Sequence, residues 1–230
     1  LTRDGGENWA DVSPPHKGKF SNEAYINAIE ISPHDPATVY LAVQGFKLDD
    51  FNPYIYKSSD YGKSWTRLDK GLPLNNFVRV VREDPKQKGL LYAGTEGGLF
   101  ISYDDGSSWQ AMKLNLPPVP ITDLTIRQDN LVAATQGRAF WVLDDLFVLR
   151  QAAAGVGKEA LQAFAPEQVA IIGNSGSADD FESSNPDRGV PIYYFLKDKQ
   201  EGPLSIEILD AAGTVVRTYA SEETDFDRCL

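Results

Sequence analysis

The side chains of this sequence that could do chemistry form two sets, one scattered and one periodic. The scattered set is Lys47, Asp49, Asp50, Glu96 and Arg138. The first three lie in the insertion Gly45-Phe46-Lys47-Leu48-Asp49-Asp50-Phe51-Asn52-Pro53-Tyr54, among aromatic rings. Glu96 and Arg138 lie in the short stretches Thr95-Glu96-Gly97-Gly98 and Thr135-Gln136-Gly137-Arg138. Carboxylates beside aromatic rings suit a sugar site. Rings stack on the apolar face of a pyranose, and charged groups take its hydroxyls or serve as acid and base. Glu23, Arg79 and Asp123 stand at strand starts and could join this set. The competing reading is an ordinary solvated surface in which Arg138 pairs with Glu96 or Asp123.

The periodic set is S-x-D-x-G-x-S-W, at Ser58 to Trp65 and again at Ser102 to Trp109, with a looser copy at Thr2 to Trp9. Its key residues are Ser58, Asp60, Gly62 and Trp65; Ser102, Asp104, Gly106 and Trp109; and Asp4 and Trp9. Asp and Gly supply turn conformations that other residues resist. An Asp carboxylate inside a turn accepts backbone N–H bonds. Each Trp is expected to bury its ring beneath the hairpin, worth roughly 4–5 kcal/mol before entropy. These residues read as structural.

Spacing supplies the architecture. Trp9 and Trp65 are 56 residues apart, and Trp65 and Trp109 are 44 apart. LYAGTEGGLFISYDD (91–105) also aligns without a gap on LVAATQGRAFWVLDD (131–145), with seven of fifteen positions identical. A repeat of about 40–50 residues built from four short strands is the signature of a β-propeller. The predicted strands are 26–32, 38–43, 54–58 and 64–68; then 77–82, 89–94, 99–102 and 108–113; then 121–127, 130–135, 139–143 and 147–150. β-branched and aromatic residues fill them, and Gly, Pro, Asn and Asp separate them. Residues 1–151 therefore read as about three four-stranded blades plus part of another. A closed ring needs about 4–8 blades, so earlier blades of the same protein are expected upstream of Leu1. Chain direction alternates along a blade. Loops after each second strand thus share one face, opposite the aspartate turns.

Residues 152–189 read as a linker, with a possible turn of helix, and a flexible acidic loop. Residues 190–230 hold strands at 190–197, 204–209 and 214–220, with Gly213 placed for positive φ in a hairpin turn. Alternation there marks one buried face and an incomplete immunoglobulin-like sandwich. The fold class is all-β throughout.

Composition narrows the function. The chain has 230 residues and a net charge of −11, with no basic patch to offset it. Nucleic acid is therefore not an expected partner. No apolar run approaches the roughly 20 residues needed to span a bilayer. A single cysteine, Cys229, rules out an intrachain disulfide. His16 and His34 lack further ligands at metal spacing, so neither metal nor cofactor is expected. Gly173-Asn174-Ser175-Gly176 lacks the final Gly of a nucleophile elbow.

The S-x-D-x-G-x-S-W pattern resembles the Asp-box, or BNR repeat, of sialidases, xyloglucanases and sortilins. The stretches LDDFNPYIYKSSDYGKSW, GLLYAGTEGGLFISYDDGSSW, LPPVPITDL, TQGRAFWVLDD and VPIYYFLKDK together resemble bacterial glycosyl hydrolase-like, sortilin-type BNR proteins. The resemblance implies an exported propeller followed by a sandwich-like region. It also implies a glycan that is bound or cleaved, or else a peptide or protein held by a non-catalytic sortilin-like scaffold. The F/Y-R-I-P motif of sialidases is absent from this chain, and neither catalytic Asp of a xyloglucanase maps onto it. No catalytic residue is assigned.

Overall fold

The structure, a computed structural model, describes residues 1–14, 24–155, 160–167, 190–198 and 202–220. Glu23, His16, Cys229 and the loop 173–189 with its Gly173–Gly176 stretch lie outside them. Two compact units divide the chain, Leu1–Ala154 and Gly155–Leu230.

The first unit is built of antiparallel meanders. The first comprises β1 (Tyr25–Ile31), β2 (Val39–Gly45), β3 (Asp50–Ser58) and β4 (Thr66–Arg67), paired in chain order. The second repeats that order with β5 (Val78–Glu83), β6 (Leu91–Thr95), β7 (Gly98–Ser102) and β8 (Gln110–Ala111). The third has β9 (Ile121–Arg127), β10 (Asn130–Thr135) and β11 (Phe140–Leu143). Each four-stranded meander has the topology of a propeller blade.

Period-two alternation decides which core each side chain enters. Val81, Leu91 and Ala93 pack with Tyr40, Ala42, Ile55 and Trp109, between the first and second sheets. Their neighbours Val80 and Tyr92 pack the other way, with Ile121, Leu124 and Leu131, between the second and third. Both faces of the second sheet are thus covered, and β6 and β7 are buried at every position. The fourth strands are the exposed edges. They are two residues long, shorter than the expected 64–68 and 108–113.

The third repeat departs from four strands. Residues 147–150, expected as a strand, open the helix α1 (Phe147–Ala153). The cause lies one residue earlier. Gly62 and Gly106 close their turns at φ +83° and +82°. The matching position is Leu146, whose side chain disfavours that region. It sits at φ −56° in the right-handed region, and the chain runs on into helix.

In the second unit, β12 (Leu161–Ala163) pairs with β13 (Tyr194–Leu196), and β14 (Ser205–Leu209) with β15 (Val215–Ala220). The stretch 152–189 therefore holds a strand, and 190–197 is extended into a ladder only at β13. The 210–213 turn is held by Asp210 Oδ1, which accepts from Ala212 N and Thr214 N at 2.8 Å each. Gly213 there has φ +82°.

Candidate functional site

Antiparallel pairing gives each blade two ends. The β3–β4 and β7–β8 turns, which carry the aspartates, occupy one end. The β2–β3, β6–β7 and β10–β11 turns, which carry Lys47, Asp49, Glu96 and Arg138, occupy the other, and Asp50 begins β3 there.

The aspartate end is saturated with local bonds. The Ser58 hydroxyl donates to Asp60 Oδ1 at 2.8 Å and accepts from Gly62 N at 2.8 Å. Asp60 then accepts from Ser64 N and Ser64 Oγ at 2.9 and 2.6 Å. Ser102, Asp104, Gly106 and Ser108 repeat those four bonds. Thr2, Asp4, Gly6 and Asn8 repeat them once more, with an Asn amide replacing the hydroxyl. Such bonds to the ionised form hold a carboxyl down. The Ser64 bonds and the Ser58 hydroxyl bring Asp60 to about 2. Burial alone lifts Asp104, and bonds from Ser108 and Ser102 overcome it to leave its pKa below the usual value.

The tryptophans stitch one repeat to the next. Trp65 Nε1 donates to the Val12 carbonyl at 2.8 Å, and Trp109 Nε1 to the Leu68 carbonyl at 2.7 Å. The same two residues touch the turn glycines. A Cβ on Gly62 would lie 2.8 Å from Val12, and one on Gly106 2.7 Å from Leu68. Trp9 has no such neighbour among the described residues. Its indole donates to Gly6 O within its own turn, and it stays 74% exposed against 5% for Trp109. The expected burial thus fails at Trp9, whose ring no other described repeat covers.

This end also carries ion pairs between repeats. Lys57 pairs with Asp105, which also accepts from Tyr40 Oη at 2.7 Å. Arg150 clamps both oxygens of the fully buried Asp84 at 2.9 and 3.0 Å and also bonds Asp129. His34 Nε2 meets the Asp84 carbonyl at 2.7 Å. A groove of about 320 Å³ opens beside Glu30, Arg82, Thr125 and Arg127. Burial raises the Glu30 carboxyl above its usual range, and Arg82 offsets part of that rise. Arg82 binds Glu30 at 3.3 Å and Asp123 at 2.9 Å, so Asp123 is tied to Arg82 rather than to Arg138.

The opposite end is built differently. Its backbone is as regular: Glu96 N donates to Phe77 O at 3.0 Å, and Gln136 N to Pro120 O at 2.9 Å. Its side chains are not. Phe46 stacks on Phe77 with centroids 5.2 Å apart, and Phe51 tilts against Phe77 at 6.4 Å. Phe46 and Phe51 remain 37% and 39% exposed, which leaves an aromatic ledge. Lys47 lies over the Tyr25 ring at 4.6 Å, and Arg79 over Phe77 at 5.1 Å. Asp49 caps the 3-10 turn Phe46–Leu48 at φ +61°. Asp50 accepts from Asn52 Nδ2 and Tyr54 Oη at 2.8 and 2.7 Å. Burial and that bond push the Tyr54 phenol up to about 12.

Glu96 binds Arg79, through Nε at 2.9 Å and through Nη2, not Arg138. Arg138 has no ion pair among the described residues. Its carbonyl accepts from Trp141 Nε1 at 2.9 Å. The ledge therefore gathers Lys47, Asp49 and Asp50 from one turn and reaches Glu96 through Phe77 and Arg79. Arg138 stands on the third repeat's turn, without a described contact to them.

A further feature of this end escaped the sequence reading. Each first strand carries a bulge at the same place. The ladder skips Asn27 in β1, Arg79 in β5 and Thr122 in β9. Bulges re-aim side chains and gather next to binding sites. The bulge shows in packing rather than in sequence: Val78 and Val80, two positions apart, enter different cores.

No protein-family description matches this chain. A stretch of 105 residues, 45% of the chain, is 30% identical to a probable oligoxyloglucan-reducing end-specific xyloglucanase of Neosartorya fischeri. The match spans 12% of that relative's length. Among solved structures, a GH74 enzyme of Niastella koreensis superposes with a TM-score of 0.41 at 16% identity, over 52% of this chain and 21% of that one. YCF48 bound to D1 peptide superposes with a TM-score of 0.44 at 18% identity, over 62% and 43%. Among the described residues, no helix is long and apolar enough to cross a membrane.

Proposed function

We propose that this chain carries blades of an exported, glycosyl hydrolase-like Asp-box (BNR-repeat) β-propeller, followed by a sandwich-like region, that binds a glycan at the end opposite its aspartate turns. The observation that carries the reading is the half-exposed ledge of Phe46 and Phe51 on Phe77, bordered by Lys47, Asp49, Arg79 and Glu96. Rings offer stacking surface, and the bordering charges offer hydroxyl partners. The partial sequence match to a xyloglucanase supports a glycan as the ligand class. Binding fits better than cleavage. Of the two carboxylates that line the described groove, Glu30 is paired with Arg82 and Glu83 is buried, so neither stands as a free acid or base facing a second one across it.

One observation favours a second reading, a sortilin-like scaffold that holds a peptide or protein. No described strand pairs with the outer side of β11, where Phe140 and Val142 are 75% and 55% exposed. An extended peptide can add to such an edge.

A glycan panel followed by titration separates the two. The parent chain should bind a polysaccharide oligomer. Phe46→Ala/Phe51→Ala and Asp49→Ala/Arg138→Ala should each lose that binding while still melting cooperatively, at a somewhat lower temperature than the parent. Binding of extended peptides but of no saccharide overturns the glycan reading.

A further inference from the structure

We infer that the bulged residues Asn27, Arg79 and Thr122, together with Glu96, form a rim that selects a neutral saccharide by its vicinal hydroxyls. The inference rests on the glycan reading above and adds the substrate class and the groups that read it.

The rim is a repeated device. One bulge in each of three first strands, at one end of the sheets, is not required by the ladder itself, which runs regularly on both sides of it. The three strands adjoin one another: β1 lies against β5, and β5 against β9. Asn27 bridges the first gap by donating from Nδ2 to the Arg79 carbonyl. Gln44 fixes the Asn27 amide from behind, with Nε2 donating to Oδ1 at 2.7 Å. Asn27 and Thr122 are exposed and Arg79 is half-buried, so the rim faces outward.

The bonding leaves a defined set of free positions. Both bonds from Arg79 reach the same oxygen, Glu96 Oε2. Among the described residues, Arg79 Nη1 and Glu96 Oε1 carry no bond. A guanidinium donor beside a carboxylate acceptor matches two adjacent sugar hydroxyls, one accepting and one donating. Thr122 Oγ1 donates to the Ala134 carbonyl at 3.1 Å and keeps its lone pairs for a third hydroxyl.

Charge decides the class of sugar. Glu96 balances the Arg79 cation, and Asn27 and Thr122 are neutral. An acidic sugar therefore meets no net positive charge at the rim, while a neutral one meets matched donors and acceptors. The whole chain, at −11, disfavours an anion further.

The test titrates the 230-residue chain with a neutral xyloglucan oligosaccharide and with tetragalacturonate. The parent should bind the neutral probe more tightly. Glu96→Gln should lower that affinity about tenfold, and Thr122→Val about threefold, with unchanged melting temperatures, as for lost hydrogen bonds to a charged and a neutral group. Tighter binding of tetragalacturonate overturns the inference and points to Arg138 instead. Parental affinity in both rim variants, alongside loss in Phe46→Ala/Phe51→Ala, overturns the rim and leaves the glycan reading standing. Failure of the parent to bind either probe overturns both.

Discussion

The two ends of these sheets share a backbone and differ in everything attached to it. At the aspartate end, the two full copies make the same bonds with the same side chains, down to the 2.6 Å contact of Ser64 with Asp60 and of Ser108 with Asp104. At the other end, the turns and bulges recur while the side chains change: Asn27, Arg79, Thr122 on the bulges, and an aromatic insertion in one turn only. Repetition at one end does structural work for the blades that carry the motif. Variation on a fixed frame at the other end is what recognition of an asymmetric ligand needs.

That contrast breaks most sharply at the tryptophans. Trp109→Ala should destabilise the first unit by about 3–5 kcal/mol, the range for emptying a buried aromatic site. Trp9→Ala should cost under about 0.5 kcal/mol, because an exposed ring loses little. Denaturant melts of both variants check the pair. A loss below about 1 kcal/mol for Trp109→Ala removes the stitching role.

The glycine of the turn comes next. Gly106→Ala places a Cβ 2.7 Å from Leu68 at φ +82°, so strain and overpacking should together cost about 2 kcal/mol. The change should be read in the same melts. A neutral result would show that Leu68 moves aside freely.

Acid offers a third handle. Asp60 sits near 2 when folded, against 3.8 as its ordinary value. A carboxyl lowered by folding stabilises above its unfolded pKa, and that stability drains away as pH falls through the folded one. The melting temperature should therefore drop between about pH 4 and pH 2, and Asp60→Asn should flatten part of that slope. An identical slope in the variant would assign the acid loss to other groups.

The smallest effect belongs to the opposite end. Glu96→Gln breaks a half-exposed pair with Arg79, and such pairs contribute about 0–1 kcal/mol. Its melting curve should nearly overlay the parent's, which keeps any loss of ligand binding free of a folding explanation.

Much of this molecule is legible in its sequence. The repeated S-x-D-x-G pattern and the offset of 40 residues locate the turns and their spacing, because turn chemistry is local. Runs of β-branched and aromatic residues marked the blade strands, because β5 must feed two cores at once and is apolar on both faces. What stayed hidden depended on neighbours. Trp9 reads like Trp109 in sequence, yet among the described residues only Trp109 is covered by another repeat. The helix at α1 follows from the loss of one glycine, whose consequence is visible only once its siblings' φ values are known. Glu96 and Asp123 read in sequence as partners for Arg138 and pair with Arg79 and Arg82 instead. Ion pairs across a sheet are set by register and bulges, and register is a long-range property. The ledge was half visible: Phe46 and Phe51 stood in the insertion, but Phe77 reaches them from the next repeat.

The division of labour between the two ends can be tested directly by hydrogen–deuterium exchange of the chain with and without a xyloglucan oligosaccharide. Slowed exchange in 45–52, 95–98 and 135–139, with 58–65 and 102–109 unchanged, is the predicted result. Protection confined to 58–65 and 102–109 would place the ligand on the aspartate turns and contradict the account.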